Sequence, residues 1–260
     1  MLLENKNAVI YGAGGIGSEI ARAFAREGAR VFLAGRTLGK VETVAREIST
    51  VGGLCDAAQV DALDEQSVEE HFGKVAKEVG NIDILFNAIG MQDVQGKPLV
   101  AMSLEDFTRP VMTATRTQFL TARAVARYMI EQRSGVILTI TAGPARSATA
   151  NVGGFDTACA AIEGLWRTFA AELGPYGIRL VVIGSAGSPD TPDVQEMLQL
   201  HAAAAVKSRE EVLADFGSDT LLRRLPSVKE VANVAAFMAS DYASAMTGVI
   251  ANVTCGYIVD

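Results

Sequence analysis

Val9-Ile10-Tyr11-Gly12-Ala13-Gly14-Gly15-Ile16-Gly17-Ser18 is the stretch that decides the fold. A short apolar run ends at Gly12, and Gly12, Gly14 and Gly17 keep the G-x-G-x-x-G spacing ahead of a helix-period segment. Between a strand and a helix, such glycines allow a tight turn and close backbone approach to a pyrophosphate. The first N–H groups of the helix and its positive dipole end then face the anion. Gly15 and Ile16 complete this candidate phosphate cradle.

The same alternation runs along the whole chain. Apolar, strand-length runs fall at 8–11, 30–33, 53–59, 82–86, 135–141, 178–183 and 249–253. Helix-period segments fall at 16–27, 38–49, 65–79, 105–132, 155–174, 193–214 and 228–239. Strand and helix in turn predict βαβ units, and strands apolar along their length predict a parallel sheet covered on both faces. With no repeat, low-complexity tract or Pro/Ser-rich linker, the expectation is one doubly wound, Rossmann-type α/β domain. The segment 190–226 reads as a lid, with Met197, Leu198, Leu200 and Leu213 as an apolar pocket wall or as a helix pair covering the sheet edge.

The chain has 260 residues, 49% of them hydrophobic, and a net charge of -7. That size suits one substantial core. An acidic chain gains little from counterion release, which argues against a general nucleic-acid role. Cys55, Cys159 and Cys255 are odd in number and widely spaced, and His71 and His201 have no neighbouring ligands. No disulfide framework or metal site is expected. Charges in residues 1–7 break any signal-peptide core, and no run is long and apolar enough for a membrane span, so the expected location is the cytoplasm.

Past the second strand run, where NAD-preferring domains carry an acid, the chain reads Ala34-Gly35-Arg36. The forked donors of Arg36 suit a 2′-phosphate, so NADP(H) is expected over NAD(H).

Other segments resemble the short-chain dehydrogenase/reductase family, particularly its 3-oxoacyl-carrier-protein-reductase-like members, over essentially the whole chain. Asp83-Ile84-Leu85-Phe86-Asn87-Ala88-Ile89-Gly90 is similar to the family's D-I-L-V-N-N-A-G, and Asp61 stands where the family has an Asp near the adenine. Gly135 to Thr141 is similar to the fifth strand, and Glu163-Gly164-Leu165 with Ala171 to Arg179 to the sixth helix and its exit. Ala186-Gly187 takes the P-G position, followed by Asp190-Thr191-Pro192. The resemblance implies a cofactor site at Gly12, Gly14, Gly15, Ile16, Gly17, Arg36, Asp61, Asn87, Ala88, Gly90, Gly187 and Thr191. It also implies an oxidoreductase, and a homo-oligomer, tetramer or dimer, or a mixed oligomer with an active relative. The Ala- and Thr-rich segments 113–131 and 155–173 fit either an intersubunit bundle or packing on the sheet alone.

The chain departs from the family in two places. Its glycine loop is one residue shorter than T-G-x-x-x-G-x-G, with Tyr11 in place of the Thr. The family's Asn, Ser, Tyr and Lys register on Ala114, Ala142, Phe155 and Cys159, and no tyrosine has a lysine four residues later. No residue is therefore assigned a catalytic role. Thr141 and Asp156 are the nearest substitutes, but Thr141 should face the other side of its strand, and Asp156 is rotated by about 100° from Phe155 on a helix. The expectation is an NADP(H)-binding member, degenerate for ordinary carbonyl reduction, with a pocket for an apolar small molecule. The alternative is an enzyme of non-standard mechanism, acting on an activated substrate or by a non-redox reaction.

Overall fold

A computed structural model describes residues 1–147 and 149–259. Its strands are β1 (Asn7–Tyr11), β2 (Arg30–Gly35), β3 (Leu54–Gln59), β4 (Ile84–Asn87), β5 (Gly135–Ala142), β6 (Ile178–Ser185) and β7 (Val249–Val253). Its α-helices are α1 (Gly15–Arg26), α2 (Leu38–Thr50), α3 (Glu65–Val79), α4 (Leu104–Gln132), α5 (Phe155–Leu173), α6 (Pro192–Ala205), α7 (Arg209–Ser218) and α8 (Val228–Ala239). The strands form one sheet in the order β3-β2-β1-β4-β5-β6-β7, and every pairing is parallel. The doubly wound α/β architecture expected from the glycine turn is thus the one observed.

Alternation along each strand divides the core in two. Ala8 and Ile10 face α1, α2 and α8, packing with Phe24, Val41 and Val231. Val9 and Tyr11 face α3, α4 and α5, packing with Phe72, Val125 and Trp166. The chain runs outward from β1 to β3, then returns to β4 on the other side of β1. Crevices beyond the C-terminal strand ends at such a reversal are the usual ligand sites of open parallel sheets.

Two local features aim the site. A Cβ on Gly154, which precedes α5, would lie 2.0 Å from the Phe107 carbonyl oxygen, so only glycine lets α5 begin this close to α4. Along their length, α4 and α5 pack side by side, with the Phe119 and Phe169 rings stacked at 6.2 Å. Met112 and Phe119 of α4 stay exposed.

The segment 193–214 is not one helix. Val206 turns left-handed at φ 55° after α6, and Ser208 opens α7 with a capping box to Glu211. Leu198 and Leu213 pack inside this hairpin with Ala202 and Val212, so they do not form the expected pocket wall; Met197 and Leu200 do. Among the described residues, no helix is long and apolar enough to cross a membrane.

Candidate active site

A cavity of about 710 Å³ opens beyond the C-terminal ends of β1, β2, β4, β5 and β6. Gly12, Gly14, Ile16 and Gly17 line it from the glycine turn, and Arg36 and Asp61 from the ends of β2 and β3. Ala88, Gly90 and Gly187 line it from the turns after β4 and β6.

The glycines are needed for steric reasons. Gly12 has φ +103°, and a Cβ there would meet the Ala88 carbonyl oxygen at 2.4 Å. A Cβ on Gly17 would lie 1.9 Å from the Gly12 carbonyl oxygen. Gly14 caps α1 without a side chain, and the first turn of α1 carries no acid. The opening N–H groups of α1 therefore suit a phosphate, and the turn fits a dinucleotide even though it is one residue short. A carboxylate already lies close by: Asp193 Oδ2 of α6 would be 3.5 Å from a Cβ on Gly14.

Gly15, Asn87 and Thr191 do not line the cavity and have structural partners instead. Gly15 is where α6 packs on the turn; a Cβ there would meet Thr191 Cβ at 2.8 Å. The Thr191 hydroxyl donates to the Ser188 carbonyl at 2.8 Å. Buried Asn87 donates to Thr121 Oγ1 at 2.9 Å and accepts from the Ile89 N–H at 3.1 Å, which fixes the turn after β4. Asp61 faces the cavity and also accepts from the Leu63 N–H at 3.0 Å.

Tyr11 also reaches the cavity. Its hydroxyl lies 2.8 Å from Nδ1 of buried His71. Burial, with Lys74 nearby, pushes His71 down to about 4, and burial lifts Tyr11 above the usual phenol range. Both are neutral near pH 7, so the pair is a buried hydrogen bond beneath the turn.

Ala142 at the end of β5 and Phe155 at the start of α5 also line the cavity. Ala114 and Cys159 do not reach it and are buried at 3% and 0% exposure. Burial pushes the Cys159 thiol up to about 12 despite a backbone hydrogen bond from Ala142, so it is neutral and inert as a nucleophile. The Thr141 hydroxyl donates to Glu163 Oε1 at 3.3 Å, on α5.

Asp156 does not line the cavity, and its buried Oδ1 has no hydrogen-bond partner among the described residues. Burial pushes this carboxyl up to about 6, outweighing the favourable helix N-terminus. A carboxyl raised on folding above its ordinary range contributes stability that is full below about pH 4 and lost as pH rises through about 6. Asp156→Asn is therefore expected to raise the melting temperature at pH 8 and to have little effect at pH 4. Thermal melts at both pH values check this, and a pH-independent change would count against it.

Several groups that line the cavity or bond to its lining have no local sequence motif. Ser147, Thr149 and Tyr257 bring three hydroxyls together, with Ser147 Oγ and Thr149 Oγ1 at 2.9 and 3.0 Å from Tyr257 Oη. Asp93, Gln95 and His201 form a polar chain: Gln95 Nε2 donates to Asp93 Oδ2 at 2.7 Å, and His201 Nε2 lies 2.9 Å from Gln95 Oε1. Met91, Met197, Leu200 and Phe216 supply apolar wall.

A glycine turn at the switch point of a parallel sheet, joined to one cavity, is the arrangement in which α/β proteins of the doubly wound class hold dinucleotides. Residues 12–258 match the family described as Enoyl-(Acyl carrier protein) reductase. The chain is 33% identical to "Uncharacterized oxidoreductase YxbG" of Bacillus subtilis, over 95% of this chain and 88% of that one. It is 30% identical to 7alpha-hydroxysteroid dehydrogenase of Escherichia coli K12, over 98% and 94% of the two chains. The crystal structure of NAD+-bound xylitol dehydrogenase superposes with a TM-score of 0.92 at 26% identity, covering 97% of this chain and 99% of that one. The chain belongs to the short-chain dehydrogenase/reductase family of oxidoreductases.

Proposed function

We propose that this chain binds NADP(H) in the cavity beyond its strand ends and has lost the acid–base residues of ordinary carbonyl reduction. One observation carries the reading. The cavity that the glycine turn lines is also lined by Ala142 and Phe155, while Cys159 is fully buried and does not reach it. Bound cofactor supplies a hydride; reduction of a carbonyl also needs a proton and a donor to the developing oxyanion. A phenyl ring and a methyl group offer neither, and a neutral buried thiol cannot act as a fixed cation. Loss of positioned acid–base catalysis costs about 10²–10⁴-fold, and loss of an oxyanion donor about 10²–10³-fold; the two do not simply add.

Cofactor preference follows from the end of β2. Arg36, Thr37 and Lys40 line the cavity there, where an NAD-preferring site would hold an acid. Two cations and a hydroxyl suit a 2′-phosphate. Arg36→Glu combined with Lys40→Glu is expected to weaken NADPH binding by about 10- to 100-fold, the loss of one or two charge-assisted bonds, and to leave NADH binding much less affected. Parallel titrations check this, and equal losses for both nucleotides would contradict it.

The function itself is tested by turnover. With NADPH and a panel of aliphatic, cyclic and aryl ketones, the chain is expected to oxidise no cofactor above background. Turnover at ordinary enzymatic rates, about 1–10³ per second, would overturn degeneracy. The second reading, an enzyme of non-standard mechanism, is favoured by the Tyr257 hydroxyl in the same cavity. Exposed Met112 and Phe119 on α4 support a homo-oligomer, dimer or tetramer, or assembly with an active relative. Light scattering after size exclusion reads the assembly, and a monomer would count against it.

A further inference from the structure

The chain after β7 doubles back as a hook. Gly256 turns with φ +82°, packed so closely on Leu221 that a Cβ would meet that side chain at 2.6 Å. The Tyr257 N–H donates to the Thr254 carbonyl at 3.1 Å, and the Ile258 N–H to Thr254 Oγ1 at 3.1 Å. Asn252 Nδ2 donates to the Ile258 carbonyl at 2.9 Å, closing the hook onto β7. These bonds place the Tyr257 ring over Gly143, where a Cβ would meet ring atom Cδ1 at 2.7 Å. Gly143 directly follows Ala142. The hook thus carries a phenol to the end of β5, over the residue that follows Ala142, and Ala142, Tyr257 and Thr149 all line the cavity.

We propose that the Tyr257 hydroxyl, oriented by Ser147 and Thr149, is the hydrogen-bond donor for the oxygen of a largely apolar carbonyl or alcohol ligand. The geometry makes it a directed group. A hydroxyl has one proton to give and two lone pairs to accept with. Ser147 and Thr149 also lie 3.2 Å from each other, so each can give its one proton either to the other or to Tyr257. Donors from the two smaller hydroxyls can fill the lone pairs of Tyr257, leaving its proton for a ligand. The facing walls, Phe155, Met197 and Leu200, suit a hydrocarbon body. The ligand class is therefore an apolar molecule with an oxygen at one end. This assignment deepens the reading of the cavity as a cofactor and ligand pocket and rests on it.

Prodan, a naphthyl ketone whose emission shifts to the red when its carbonyl accepts a hydrogen bond, is the probe. Added to the full chain with saturating NADP+, it is expected to bind with red-shifted emission. Tyr257→Phe keeps the ring on Gly143 and removes only the hydroxyl. It is expected to shift the emission to the blue and weaken binding by about 2- to 10-fold, the contribution of one neutral hydrogen bond. Gly143→Ala, which pushes the ring aside but keeps the hydroxyl, is expected to give the same blue shift. Unchanged emission and affinity in Tyr257→Phe, or no binding of prodan to the unaltered chain at its solubility limit, would overturn the assignment. NADP+ binding is read separately in the same samples. Its absence, with the prodan shift retained, would count against the cofactor reading and leave the role of Tyr257 standing.

Discussion

Gly17→Ala is expected to lower the melting temperature by about 6–12 °C and to abolish measurable NADPH binding. The added methyl would lie 1.9 Å from the Gly12 carbonyl oxygen and 3.1 Å from Ala88 Cβ. Neither neighbour can easily yield. The Gly12 N–H donates to Ala34 at 2.8 Å and the Ala88 N–H to Tyr11 at 2.7 Å, so both are tied into the junction of β1, β2 and β4. Forcing an atom into such a site costs about 3 kcal/mol, and each kcal/mol moves the melting temperature of a domain this size by about 2–4 °C. The shifted turn would also carry the first N–H groups of α1 away from the phosphate. Gly39→Ala is the control. It lies in α2 with nothing within 4 Å of a new Cβ. Replacing a helical glycine there is expected to add about 0.5–1 kcal/mol of stability. Calorimetry and nucleotide fluorescence read both variants. Unchanged NADPH binding in Gly17→Ala would mean that the turn does not hold the cofactor.

The second large effect is a gain. A triple variant, Ala142→Ser, Phe155→Tyr and Cys159→Lys, is expected to raise NADPH-dependent ketone reduction by about 10²–10⁴-fold, the usual worth of positioned acid–base groups. The hydroxyls at 142 and 155 would enter the cavity directly, since both positions line it. Position 159 is harder, because Cys159 is fully buried and a lysine must reach the cavity along the helix to keep its charge hydrated. Steady-state rates with NADPH decide the outcome. A variant that folds and binds NADPH but stays inactive would show that the pocket has diverged beyond these side chains.

These two expectations rest on features of different legibility. The glycine turn was readable because its requirement is local: spacing, a strand before and a helix after. All seven strands fall where the sequence runs predicted them; the inner strands are apolar because both faces are covered, whereas the edge strand β3, with Asp56 and Gln59, is largely exposed. The break between α6 and α7 had a signal that periodicity overrode. Ser208-Arg209-Glu210-Glu211 has the S-x-x-E form of a capping box, which the structure forms. The roles of Gly15, Asn87 and Thr191 were not legible. The expected residues are present, but their partners are Thr191, Thr121 and Ser188, supplied by tertiary packing. Tyr11 offers a similar case. It meets His71 across 60 residues, and nothing local announces the pair. Tyr257 lies 110 residues from Ser147, and only the hook after β7 brings them together. Local chemistry could be read from the order of residues; polar groups joined across the fold could not.

The central claim is that the cavity holds NADP(H) although the residues that would use it in ordinary reduction are gone. Titration of the unaltered chain with NADPH, followed by nicotinamide fluorescence and repeated with NADH, tests it most directly. The account predicts saturable NADPH binding at micromolar concentration, at least about tenfold tighter than NADH, the worth of one charge-assisted bond to the 2′-phosphate. No saturation by either nucleotide at millimolar concentration would contradict it.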